Sequence, residues 1–352
     1  MQVEFIIVGQ GISGTWLSYY LQKASKSFIV IDDNRQNSAS RVAAGIINPV
    51  TGRRIVKTWM IDELLKHLLP AYKKLGTELG LNAIFQKNVI DFHPTPQMKI
   101  SFEERLKEDK SYLRKPADEN IFSDFFDYDF GFGEVNPCYM INLQEILPAW
   151  RKKLESANQL LQEDFDIKEL SRMEKGVRYK NISAEKIIFC DGAASASNSF
   201  FNKLPFSLNK GEALIIESTE IPAAHIFKKG MMLAPLGNHL FWIGSNYIWD
   251  FADENPTEQF RLQTESILKS WIKVPFKIVD HKAAIRPANV ERRPFVGFHP
   301  VYKNLGILNG MGTKGCSLAP YYAKQLVQSL VNNGQILPEA DVSRFQKILS
   351  RN

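Results

Sequence analysis

Cysteine is scarce in this chain. Cys138, Cys190 and Cys316 are the three in 352 residues, odd in number and far apart, with no CxxC pair. That excludes a disulfide-stapled scaffold, gives no sign of a zinc or dithiol redox site, and makes a reducing, cytoplasmic setting the expectation. Long apolar runs are missing too. None approaches the roughly 18 residues that a membrane helix needs, and the first apolar patch, residues 5–8, meets glycine without a basic leader. Neither a membrane span nor a secretion signal is expected. Repeats, low-complexity tracts and linkers are also absent. Charge of one sign is in short supply: 44 basic against 38 acidic residues leave +6, a hint of anionic ligands but no mark of a nucleic-acid binder. Apolar material is plentiful, and the length suits two domains.

Residues 3–8 read as a buried strand, 9–14 as a tight glycine turn, 15–21 as a helix and 28–31 as a second strand closing on Asp32 and Asp33. That order generates a right-handed parallel crossover. Residues 38–52 are too rich in alanine and glycine for a packing helix, so they read as a loop that approaches something closely. Apolar spacing predicts helices over 59–75, 142–154, 257–271 and 317–331, with Pro70 expected to kink or interrupt the first. Residues 81–135 mix short strand-like runs with polar stretches. Residues 186–190 form a strand, and 211–247 read as a meandering antiparallel sheet. The end returns to the opening style, with a strand at 305–308 and a glycine loop at 309–315. Strand-and-glycine segments at the start, middle and end imply interleaved domains.

Gly9, Gly11 and Gly14 make a GxGxxG pattern in which the first glycine turns tightly, the second admits a phosphate to the backbone and the third packs helix on strand. The helix N-terminus at Ile12 and Ser13 then offers free N–H groups and a positive dipole end to a pyrophosphate. Asp32, about 20 residues on at the end of the next strand, is placed to accept ribose hydroxyls. This much does not separate NAD from FAD. Position argues for FAD, because the turn stands at the extreme N-terminus and a second glycine loop is kept for the far end. A dinucleotide ending in an isoalloxazine ring needs contacts spread through the sequence.

Beyond this unit the residues resemble the D-amino-acid oxidase family of FAD-dependent oxidoreductases, in its glycine oxidase and sarcosine oxidase branch. Ser40, Arg41, Val42, Ala43, Ala44 and Gly45 are similar to the family's small-residue loop beside the pyrophosphate and flavin. The run from Ile188 to Ala193, with Cys190 and Gly192, resembles the segment that touches the cofactor from mid-chain. Leu204-Pro205 and Lys210-Gly211-Glu212 are similar to the entry into the second domain. Arg286-Pro287, the 294–297 segment and the loop Asn309 to Gly315 match the family's closing series in order and spacing. The resemblance covers about the whole chain.

It implies an α/β fold, α+β overall: a Rossmann-type FAD-binding domain of residues 1–80, 140–205 and 275–352, interleaved with a substrate-binding domain of 81–139 and 206–274 on a mixed or antiparallel sheet. It also implies noncovalent FAD, since no cysteine stands near Arg286, where some relatives attach the flavin. The implied reaction is oxidation of the carbon–nitrogen bond of a small amine or amino acid, with Cα–H passing as hydride to flavin N5 and with oxygen or another acceptor taking the electrons. No histidine is needed as base, and His239, His281 and His299 read as surface or packing residues.

The implied cofactor set is Gly9, Gly11, Ile12, Ser13, Gly14, Asp32, Asp33, Ser40, Arg41, Ala43, Ala44, Gly45, Phe165, Cys190, Gly192, Gly310, Gly312, Thr313, Lys314 and Gly315. Arg286 is expected to pair bidentately with a substrate carboxylate, the alternative being an interface salt bridge. Lys314 adds positive charge at the flavin or is a solvated lysine. Asn48 could face the ring. Tyr247, with Trp242 and Trp249, lines the pocket or fills the core, since Met231 and Met232 stand where glycine oxidase-like enzymes place a pocket tyrosine. Two other readings stand beside this one. In one, a tRNA-modifying flavoenzyme acts on a carboxymethylaminomethyl-type uridine, permitted by Arg53, Arg54, Arg292 and Arg293. In the other, the flavoprotein has no turnover.

Overall fold

The apolar run at the N-terminus does not alternate: Phe5, Ile6, Ile7 and Val8 are all buried, as in a strand covered on both faces. In the computed structural model, which describes residues 1–52 and 55–351, Gln2–Val8 pairs in parallel with Phe28–Ile31 on one side and Ile182–Phe189 on the other. Leu160–Leu161 extends the sheet beyond Phe28–Ile31, and Leu305–Asn309 joins Ile182–Phe189, both in parallel. Carboxyl ends of strands from the start, middle and end of the chain therefore gather on one edge. This is where open α/β sheets place their ligands. Phe295–Phe298 and the hairpin of Leu170–Met173 with Gly176–Tyr179 complete an eight-stranded sheet. The helices Ile12–Lys23, Ile61–Leu79, Leu143–Ser156 and Gly315–Val331 cover one face, with Trp16, Tyr72, Trp150 and Tyr322 in one core cluster.

A second eight-stranded sheet is mostly antiparallel. Its strands run in the order Lys277–Arg286, Asn209–Glu217, Leu240–Gly244, Met231–Gly237, Ile226–Lys229, Val89–Phe92, Phe132–Val135 and Leu113–Arg114. Register divides its faces. Leu214, Ile216, Phe227, Phe241 and Ile243 pack on one face in a core that includes Phe260, Leu268 and Trp271 of the helix Glu258–Trp271. The opposite face carries Asn209, Gly211 and Ala213 beside Arg286, Ala284 and Lys282, then Trp242, Gly244 and Met232. Small residues there leave open space, and that space faces the first sheet.

Several local expectations change in the structure. The first helix starts earlier, at Ile12, and takes Gly14 inside it. Pro70 neither breaks nor ends Ile61–Leu79, because Ile61, Leu64, Leu65, Leu68, Tyr72 and Leu75 bury one continuous stripe that holds both sides of the proline. The small-residue segment is a single turn, Ala39–Val42, followed by the two-residue strands Ile46–Ile47 and Val50–Thr51. Lys277–Arg286 pairs along its length with Asn209–Glu217 and so belongs to the second sheet, whereas the sequence reading placed residues from 275 onward in the first domain. Hydrophobic pattern alone does not say which of two sheets a strand joins. Among the described residues no helix is long and apolar enough to cross a membrane.

Candidate active site

Between the two sheets lies a cavity of about 550 Å³. It runs past the first glycine turn, under the small-residue segment, and out to the open face of the second sheet. The turn is built by exclusion. A side chain on Gly14 would stand 1.9 Å from the Gly9 carbonyl, and one on Gly9 would stand 2.6 Å from the Cys190 carbonyl in a backbone already at φ +95. Strand and helix therefore close to contact, and the helix N-terminus is left open. The amides of Gly11 and Ser13 meet no protein acceptor among the described residues, while the Ile12 amide donates to Ser40 Oγ at 3.0 Å. Free amides and a positive dipole end make this an anion site.

Asp32 closes the next strand, but its carboxylate is already engaged. Oδ2 accepts from the Gln10 amide at 2.8 Å, and Oδ1 accepts from the Asn34 amide at 2.9 Å and from Arg151 Nη1 at 2.6 Å. A ribose hydroxyl can use only the remaining lone pairs. Arg41 reaches the same corner, donating to Asn34 Oδ1 at 2.7 Å, and Phe165 lines the wall while stacking on Tyr179. At the far end of the chain the loop before Gly315–Val331 presents a second set of donors. The amides of Thr313 and Gly315 have no protein acceptor among the described residues. Lys314 lines the cavity there, and burial, then Arg293 and Arg292, lower its pKa.

At the second sheet Arg286 projects over Gly211, where a Cβ would lie 1.8 Å from its Nη2. Nη1 donates to Asn209 Oδ1 at 2.8 Å and to the Asn246 carbonyl at 3.1 Å, Nη2 donates to Ser245 Oγ at 2.7 Å, and the guanidinium stands 4.7 Å over the Tyr247 ring. All these partners are neutral, no carboxylate pairs with it among the described residues, and burial lowers its pKa. A half-buried cation supported by neutral groups is held ready for an anion. Met232 and Trp242 form the apolar wall beside it, and the Trp242 indole donates to the Val42 carbonyl at 2.9 Å. Asn48 also lines the cavity, with Oδ1 accepting from the Val50 amide at 3.0 Å.

The structure thus brings together on one cavity Gly9, Gly11, Ile12, Ser13, Asp32, Asp33, Ser40, Arg41, Ala43, Ala44, Gly45, Asn48, Phe165, Cys190, Gly192, Tyr247, Arg286, Gly312, Thr313, Lys314 and Gly315. Gly14 and Gly310 stand outside the lining. Gly14 sits at the helix–strand contact, and at Gly310, with φ +75, a Cβ would come within 2.7 Å of Phe295. Met231 packs with the opposite core and Trp249 is 64% exposed, so neither lines the cavity. None of His239, His281 and His299 lines it either. Arg53 and Arg54 lie outside the described residues. Arg292 is exposed, and Arg293 stacks at 3.9 Å on Trp59.

The sequence reading missed Arg151, the buried partner of Asp32. A signal was present, because Arg151 falls on the apolar face of its helix with Leu147, Trp150 and Leu154. It placed Asp191, which lines the cavity, in the cofactor-touching run 188–193 without naming it a site residue, and it missed Ser245, which accepts from Arg286 at the end of the strand Leu240–Gly244. Nothing in the local sequence around Ser245 marks it.

Open amides at two ends, a cavity that joins them and donors suited to phosphate and ring carbonyl all fit FAD. A family model described as FAD dependent oxidoreductase matches residues 4–329. Glycine oxidase from Geobacillus kaustophilus is 17% identical with a TM-score of 0.80, over 100% of this chain and 99% of its own. Glycine oxidase from Bacillus cereus ATCC 14579 is 14% identical with a TM-score of 0.81, over 99% of each chain. L-proline dehydrogenase from P. horikoshii is 16% identical with a TM-score of 0.74, over 98% of each. At these identities the likeness is one of fold, and the family model carries the assignment: the chain belongs to the FAD dependent oxidoreductase family.

Proposed function

We propose that this enzyme oxidises the carbon–nitrogen bond of an amino acid or carboxylate-bearing secondary amine, with FAD held noncovalently. The observation that carries this reading is Arg286, a half-buried guanidinium over a glycine, facing the cavity with neutral partners alone. A planar carboxylate satisfies its fork bidentately and returns the missing negative charge.

Bound FAD supplies a hydride acceptor at N5, the chemistry that no side chain offers. Arg286 fixes the carboxylate, and with it the direction of the Cα–H. Met232 and Trp242 exclude water on one side of the bound amine. An amine bound in its neutral form needs no base, in keeping with a cavity that no histidine lines among the described residues. The amides of Thr313 and Gly315, with Lys314, would hold the ring end of the cofactor and favour negative charge there. Noncovalent binding is supported by the two cavity cysteines: burial pushes Cys316 up to about 12 and Cys190 well above its ordinary value, so both stay as unreactive thiols.

The test is anaerobic bleaching of the flavin by D- and L-amino acids, glycine and N-methyl amino acids, followed by steady-state kinetics on the substrate found. Arg286→Ala is expected to raise KM for the carboxylate substrate by about 10–100-fold, the equivalent of a lost charged hydrogen bond, and to leave FAD bound. Unchanged kinetics would remove Arg286 from the site. Failure of every amine to bleach the flavin would remove the reaction.

A further inference from the structure

Asp191 ends the strand Ile182–Phe189 region directly under the first glycine turn: a Cβ on Gly9 would stand 3.1 Å from Asp191 Cα. Its side chain is held by neutral groups alone. Oδ1 accepts from Ser195 Oγ and from Asn309 Nδ2 at 3.2 Å. Oδ2 has no protein partner among the described residues, and the residue lines the cavity. The neighbouring acids are compensated differently. Asp32 has Arg151, Asp33 has Arg35 and Glu163 has Lys180.

We infer that Asp191 binds the cofactor as a neutral carboxylic acid, donating its proton from Oδ2 to an oxygen of the ribityl-pyrophosphate stretch, so that FAD binding takes up one proton. The inference rests on FAD occupying this cavity. The reasoning is electrostatic. The pyrophosphate that suits the open amides of Gly11 and Ser13 carries negative charge into the space that Asp191 also faces. An ionised carboxylate there would repel it, while a protonated one adds a hydrogen bond. Two neighbours donate to Oδ1, which leaves the acid proton free for Oδ2 and the ligand. Burial already pushes the Asp191 carboxyl up to about 6, against which the hydrogen bonds from Ser195 and Asn309 act in the other direction. An anionic ligand moves it further the same way.

Among the described residues no charged group opposes this from the packed elements. The glycine turn presents Gly9 and Gln10, and the turn Gly192–Ala196 presents Ser195. The closing strand presents Asn309, and Cys190 beside it is a thiol held well above its ordinary value. Arg286, at the end of the strand that packs on the Gly192–Ala196 turn, turns three of its five N–H donors to Asn209, Asn246 and Ser245.

The experiment is FAD titration of the full-length apoprotein from pH 5 to pH 8.5, followed by flavin fluorescence, with calorimetry in buffers of different ionisation enthalpy. Above pH 6 the affinity of the native chain is expected to fall about tenfold per pH unit, with close to one proton taken up per FAD at neutral pH. Asp191→Asn, which keeps an N–H donor at Oδ2, is expected to bind FAD with flat pH dependence and no uptake. A second variant, Asp191→Ser, is expected to be flat as well if the amide packs poorly. FAD binding by the native chain without proton uptake, or unchanged pH dependence in both variants, overturns the inference. Absence of FAD binding at every pH overturns the cavity's assignment to the cofactor instead.

Discussion

Arg151 and Asp32 show how a single side chain can hold a site that it does not enter. Both are largely buried and 2.6 Å apart, and the same carboxylate gathers the amides of Gln10 and Asn34. Removing one member of a buried pair leaves the other charge without compensation, at a cost of about 3–5 kcal/mol. Arg151→Met is expected to lower unfolding free energy by about 3 kcal/mol in urea melts, and the double variant with Asp32→Asn to recover much of that. If the single variant melts like the native chain, the pair is not structural. The pair was half legible. An acid after the second strand is part of the glycine-turn pattern, whereas its arginine partner comes from a helix about 120 residues further on, a distance over which no local pattern speaks.

Elements carry the second kind of constraint. Thr257 caps the helix Glu258–Trp271, accepting from the Phe260 amide at 3.3 Å, and its own amide donates to Glu212 at 2.6 Å. Glu212 is fully buried, its side chain on the sheet face opposite Gly211 and Ala213, so the cap also gives a buried carboxyl its donors. Thr257→Ala is expected to cost about 1–2 kcal/mol in a denaturant melt, at the upper end for a lost cap, with little change in FAD affinity. A loss of FAD binding of similar size would mean that this helix is coupled to the cavity.

Most elements of the first sheet were readable because a strand buried on both faces, a glycine turn and an amphipathic helix each leave a periodic trace in the sequence. The ends of the helices and the continuity across Pro70 were not, since tertiary packing decides them. Nor was the sheet to which Lys277–Arg286 belongs: its burial is mixed, and pairing partners are chosen across the chain. The site divides the same way. Glycine loops announced themselves, while the neutral cradle of Asn209, Ser245 and Asn246 around Arg286 appears only when three separate segments meet.

At the scale of the molecule, the acid that faces the cavity also shapes the stability of the empty protein. The Asp191 carboxyl rises from 3.8 to about 6 on folding, so the folded chain holds that proton more tightly than the unfolded one. Between those values the unfolded chain binds fewer protons, and stability falls as pH rises, by about 3 kcal/mol in all. Above about 6 the whole loss is present. Asp191→Asn apoprotein is therefore expected to melt above the native apoprotein at pH 7 and close to it at pH 4, read by thermal unfolding without FAD. Equal melting at pH 7 would show that burial of the acid costs the fold nothing.

The polypeptide passes from the first sheet to the second before residue 89, returns before 160, leaves again after 189 and comes back after 286. Each half is stitched from pieces that are not neighbours in the gene, so no single cut liberates a self-sufficient module. A truncation at any of these crossings strips strands from the first sheet, and new substrate preferences must come from replacing side chains on a shared scaffold and not from exchanging a detachable cap.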